Sequence, residues 1–178
     1  MTKKQTVSDS TKQYLSDRID LYGEEVLNYY SLALMHYSAT EHYLFNSLCR
    51  LIQFPGRTDY ALYAALNGAS IRVLLKQLSS LALHRLSGPG SSAISKACKN
   101  LDRTFTFRNS LAHSVINPKT KGQNIELLTL KQRSDGMPES PKVITVIQLQ
   151  EVVEKLQVNV KVIEQTLLKE GVEPNKRS

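Results

Sequence analysis

The stretch EEVLNYYSLALMHYSATEHYLFNSLCRLI, Glu24 to Ile52, decides the fold. Leu27, Tyr30, Leu34, Tyr37, Leu44, Leu48 and Leu51 recur at helical spacing along it, and Glu41 fills the one empty slot of the stripe. An apolar stripe of that length needs other helices to cover it, so a bundle is the expected architecture. Phe54-Pro55-Gly56 ends the run, because proline disfavours helix in the residue before it.

Working outward, a second helix is predicted from about Thr58 to Leu86. Ala61, Ala64, Ala65, Gly68 and Ala69 allow close helix approach in its first half, and Ile71, Leu75, Leu78 and Ala82 continue a core stripe. Ser87-Gly-Pro-Gly-Ser-Ser92 breaks the pattern, and a third helix is expected from about Ser92 to Ser114. Asn117-Pro118 stops it. Ile125 to Leu130 and Lys142 to Ile147 have strand composition on either side of an exposed loop, which reads as a small β-hairpin. A final helix from about Leu149 to Lys169 places Leu149, Val152, Leu156, Val160, Ile163 and Leu167 on one face, and Gly171 ends it. The fold class is therefore all-α: about four long helices in one domain over residues 1–178, a hairpin inserted before the last helix, and flexible tails at 1–20 and 171–178.

Composition narrows the function classes. The chain of 178 residues has 41% hydrophobic content, suited to one globular domain with a real core. It has no long uncharged apolar run, and the N-terminus lacks a signal-peptide core, so a cytoplasmic, non-membrane protein is expected. Cys49 and Cys98 lack metal-ligand spacing to any histidine and read as buried free thiols. No metal or cofactor is indicated, and the glycine-rich phosphate loop, Cys-x-x-Cys, His-Glu-x-x-His and Gly-x-Ser-x-Gly patterns are all missing. The net charge of +7 suits a polyanionic partner, although the basic residues are scattered along the chain.

One segment carries chemistry. Ile94, Ala97, Leu101 and Phe105 form the apolar stripe of the third helix, and the next position is Arg108. Arginine on a buried stripe needs an anionic partner, a wet groove or a second subunit. Asn109 and His113, four residues apart, share one side of the helix beside it.

The run Arg108-Asn109-Ser110-Leu111-Ala112-His113 resembles the Arg-x4-His signature of the HEPN superfamily, in which the residue after the arginine is often asparagine. The arrangement of two helices, a motif-bearing helix, a strand-rich insertion and a closing helix is similar to the HEPN bundle. The resemblance implies a homodimer with the two motif helices meeting near the two-fold axis, RNA as substrate, metal-independent endonuclease activity in toxin, phage-defence or RNA-processing roles, and a protein antitoxin or regulator as a further partner.

Arg108, Asn109 and His113 are the candidate catalytic residues. His113, with an unperturbed pKa of about 6.5, can take or give a proton near neutral pH. Arg108 offers a planar fork of donors to a phosphate. Asn109 would orient the histidine or the phosphate, or bond to nearby backbone. Glu41 is a supporting candidate, because a carboxylate there could pair with Arg108; a tilted stripe would leave it in solvent instead. The same residues also suit a structural account, in which Arg108 forms a buried salt bridge and His113 caps the helix. A catalytically silent module binding nucleotide, RNA or protein, and a purely structural helical scaffold, are the competing functions.

Overall fold

The computed structural model describes residues 13, 16–17, 23–52, 68–112, 114–116, 124–129 and 142–172. They form helices α1 (Glu24–Ile52), α2 (Ile71–Arg85), α3 (Gly88–Ala112) and α4 (Val146–Lys169), with strands β1 (Ser114–Ile116), β2 (Asn124–Thr129) and β3 (Lys142–Thr145) between α3 and α4. The chain divides into a larger unit, Leu34–Asn109 with Glu151–Ser178, and a smaller one, Met1–Ala33 with Ser110–Gln150.

The larger unit is a helical bundle whose directions follow from its side-chain pairs. His36 and Arg50 of α1 meet Gln157 and the Val172 carbonyl in the same order, so α1 and α4 run parallel. Asn100 meets Asn159, and Ser87 meets Glu170, in reverse order, so α3 runs against α4. Arg72–Asp102 at 3.6 Å and Ser79–Ser95 at 2.8 Å set α2 antiparallel to α3. Tyr37, Leu44, Leu48, Leu78, Ile94, Leu101, Phe105, Leu156, Ile163 and Leu167 form its buried core. Each such side chain contributes about 1.5–3 kcal/mol by leaving water, which outweighs the modest propensities of individual residues.

In the smaller unit β2 pairs antiparallel with both β1 and β3. Ile125 and Leu127, two apart on β2, are buried with Ile144, which lies opposite Ile125, while Glu126 turns the other way. The hairpin expected before the last helix is therefore β2–β3, and β1 adds a third strand that its short composition did not announce.

The third helix closes at Ala112, and Ser114, expected as its last residue, opens β1 instead. Four further boundaries differ from expectation, each for a local reason. Helix α2 begins at Ile71, because Gly68 adopts φ 84° and breaks the run; the earlier part of that predicted helix, with Ala61, Ala64 and Ala65, lies outside the described residues. Helix α3 starts at Gly88, four residues before Ser92. Ser87 caps it there, its Oγ accepting from the Gly90 amide at 3.2 Å, and Pro89 sits in the first turn, where its missing N–H costs nothing. Val146 and Ile147 belong to α4, not to the preceding strand. Thr145 and Gln148 make a reciprocal capping box, the Gln148 amide donating to Thr145 Oγ1 at 3.1 Å and the Thr145 amide to Gln148 Oε1 at 2.9 Å. At the other end Gly171, at φ 75°, lets the Val172 amide reach the Leu167 carbonyl at 2.9 Å, so Gly171 and Val172 close the helix instead of joining a tail. The expected tails at 1–20 and 173–178 fall outside the described residues, apart from Gln13, Ser16 and Asp17. No described helix is long and apolar enough to cross a membrane.

Candidate functional site

The stripe that leads to the motif is built as its spacing requires. Ile94, Ala97, Leu101 and Phe105 of α3 are buried, and Arg108, the next position, is half-buried. Asn109 beside it is exposed. Among the described residues no carboxylate lies within ion-pair distance of Arg108.

What stands next to Arg108 is Tyr37 of α1. Its ring packs edge-on against Phe105, with centroids 5.1 Å apart, and its hydroxyl donates to the Thr104 carbonyl at 2.8 Å. Thr104 and Arg108 are an i, i+4 pair of α3, so the hydroxyl meets the helix on the turn that carries Arg108. Burial raises the ionisation of Tyr37 far above the ordinary tyrosine value of 10.0, and the nearby Arg108 charge pulls only part of the way back. Tyr37 therefore stays a neutral donor at physiological pH.

Glu41 is half-buried and does not reach Arg108. With Tyr37 opposite Thr104 and the two helices antiparallel, Glu41 lies one turn away in one direction and Arg108 one turn away in the other. The two are separated by roughly 12 Å along the axis, against the ~4 Å of an ion pair. His113 lies outside the described residues. Of the four residues singled out from the sequence, the structure thus places Arg108 and Asn109 side by side and sets Glu41 apart.

In the smaller unit, the motif's Leu111 is buried and its carbonyl accepts the Tyr30 hydroxyl at 2.7 Å. This carbonyl belongs to the last turn of α3 and has no partner within the helix, so the tyrosine supplies the missing donor. Neither hydroxyl role was legible as chemistry: both tyrosines stand in the sequence as members of the apolar stripe. The available signal was spacing, since Tyr30 and Tyr37 are as far apart as Thr104 and Leu111.

Other titratable groups stand apart. His42 and His84 are exposed, and His36 is half-buried against Gln157. Cys49 and Cys98 are buried free thiols, pushed by burial up to about 11 and about 12. Among the described residues no group of three or more His, Cys, Asp or Glu side chains could hold a metal ion. Comparison with known protein families, curated proteins and solved structures finds no match for this chain.

Proposed function

We propose that this chain is a metal-independent endoribonuclease of HEPN type, working as a cytoplasmic homodimer in a toxin or phage-defence role, with a protein antitoxin or regulator as its natural partner. The observation that carries this reading is Arg108: half-buried at the end of an apolar stripe, without a carboxylate in ion-pair range among the described residues. An arginine so placed, with only a neutral hydroxyl described beside it, is matched by an anion from outside, and a phosphodiester fits its donor fork.

The chemistry follows from the substrate. The RNA 2′-hydroxyl attacks the adjacent phosphorus, the bond to the 5′-oxygen breaks, and the products are a 2′,3′-cyclic phosphate and a 5′-hydroxyl. His113 of one protomer takes the proton from the 2′-oxygen while that of its partner donates one to the leaving oxygen, since a single ring cannot hold both states at once. Arg108 neutralises the crowded phosphorane, and Asn109 orients the phosphate or the imidazole.

The test is cleavage of RNA by the purified protein in excess EDTA. Cyclic phosphate ends are expected, together with loss of cutting in Arg108→Ala and His113→Ala and in a substrate with a single 2′-deoxy at the scissile position. Cutting of that substrate at the RNA rate, or folded variants with undiminished activity, would overturn the assignment. A folded wild-type protein that binds RNA without cutting it would leave the silent binding module in its place.

A further inference from the structure

The exposed faces of the helices differ sharply in charge. On α1, from Asn28 to His42, the exposed residues are Asn, Ser, Leu, Met, Ser, Ala and His, with no lysine, arginine or acid among them. On α4 the signs balance: Glu151, Glu154 and Glu164 against Lys155, Lys161 and Lys169. On α3 they do not. Between Ser92 and Asn109 its exposed positions are Ser92, Lys96, Lys99, Arg103, Thr106 and Asn109, with three cations and no acid. The one acid of that helix, Asp102, has a half-exposed side chain and is matched by Arg72 of α2 at 3.6 Å. Lys96, Lys99 and Arg103 thus share one exposed ridge.

The ridge leads somewhere. Its steps from Lys96 to Asn109 are three, four, three and three residues, a net rotation of about 140° at about 100° per residue, so the exposed line winds around α3 as it advances toward the motif. From Lys96 to Asn109 it covers roughly 20 Å of helix and ends beside Arg108. Lys76 of α2, one turn from Arg72 and also exposed, flanks it on the antiparallel neighbour.

We propose that Lys96, Lys99 and Arg103 form a phosphate track that holds an RNA strand several nucleotides away from the scissile bond and delivers it to Arg108 and Asn109. The choice of RNA rests on the ribonuclease reading above; the charge pattern itself calls for a polyanion with evenly spaced charges. The substrate is accordingly a strand extending beyond the cut, not a dinucleotide.

The probes are fluorescein-labelled 2′-O-methyl oligouridylates of about 3 and about 15 nucleotides, lengths chosen below and within typical single-strand site sizes and resistant to cleavage. Each phosphate contact contributes about 0.7 to the slope of log affinity against log salt, so three contribute about 2. The triple variant Lys96→Gln, Lys99→Gln, Arg103→Gln should lose that slope on the longer probe, which means wild type weakens roughly 16-fold more than the variant across a fourfold rise in salt. Its binding of the short probe should not change. Lys155→Gln, Lys161→Gln, Lys169→Gln removes the same net charge from α4 and should leave both probes unaffected. Equal losses in the two triple variants would mean diffuse attraction and overturn the track, as would wild-type binding in the ridge variant. Polyglutamate binding tighter than the longer probe would assign the ridge to an acidic protein instead. If wild type binds through the ridge but cuts no RNA, the ribonuclease reading falls and the track stands; if it cuts and the ridge variant cuts the longer strand equally well, the reverse holds.

Discussion

Replacing Tyr37 by phenylalanine isolates one oxygen atom in the turn that carries Arg108. The ring remains, with its edge-on contact to Phe105, so no cavity larger than a hydroxyl opens and the large cost of an aromatic truncation does not apply. What is lost is the donor to the Thr104 carbonyl. That carbonyl is also the i, i+4 partner of the Arg108 amide within α3, so it is not orphaned when the phenol is gone. The expected loss is therefore that of one net hydrogen bond, about 1 kcal/mol, without the added penalty of an orphaned buried group. For a chain of this size that is a fall in Tm of roughly 2–4 °C. Urea unfolding followed by circular dichroism is the assay, and the m-value should not change. Alkaline pH supplies the second readout. Folding raises the Tyr37 pKa above its unfolded value, so the unfolded state ionises first and wild type loses stability as pH climbs past about 10. The phenylalanine variant lacks that contribution and should decline less. A loss above about 3 kcal/mol would refute the reasoning, because it would mean that the Thr104 carbonyl is left without a partner; an alkaline decline identical to wild type would refute the burial of the hydroxyl.

Two further outcomes follow from local contacts. Thr145→Ala removes half of the capping box at the start of α4 and should cost about 1 kcal/mol in denaturant unfolding, with Thr145→Ser restoring most of it. Cys98, held at about 12 by burial, contributes stability that is complete below the unfolded thiol's 9.0 and is lost as pH rises through the folded value; Cys98→Ala should be less stable near neutrality through lost packing, yet the gap to wild type should narrow above about pH 9 in urea titrations.

The first helix could be bounded at about Glu24 to Ile52 by sequence alone, because a long apolar stripe defines it and Phe54-Pro55-Gly56 breaks it. The stripe from Ile94 to Phe105 and its interruption at Arg108 were legible for the same reason: a 3.6-residue period is a local property of the chain. Ends set by a single dihedral or a reciprocal cap were not, as at Gly68, Ser87 and Thr145, where neighbouring side chains choose between two acceptable local conformations. Glu41 looked as well placed to pair with Arg108 as any residue of its helix, and only the antiparallel register, set by packing between distant segments, separates them by two turns. Tyr37 is the converse case: its sequence neighbours mark it as core, and its hydroxyl meets α3 only because the bundle closes. Lys96, Lys99 and Arg103 are on one helix in the sequence too, but a ridge becomes a charged surface only once the opposite face is buried and the acid between them is matched by Arg72. Period and composition determine which residues share a face; the direction that face points, and what it meets, is decided by packing against segments far away in the chain.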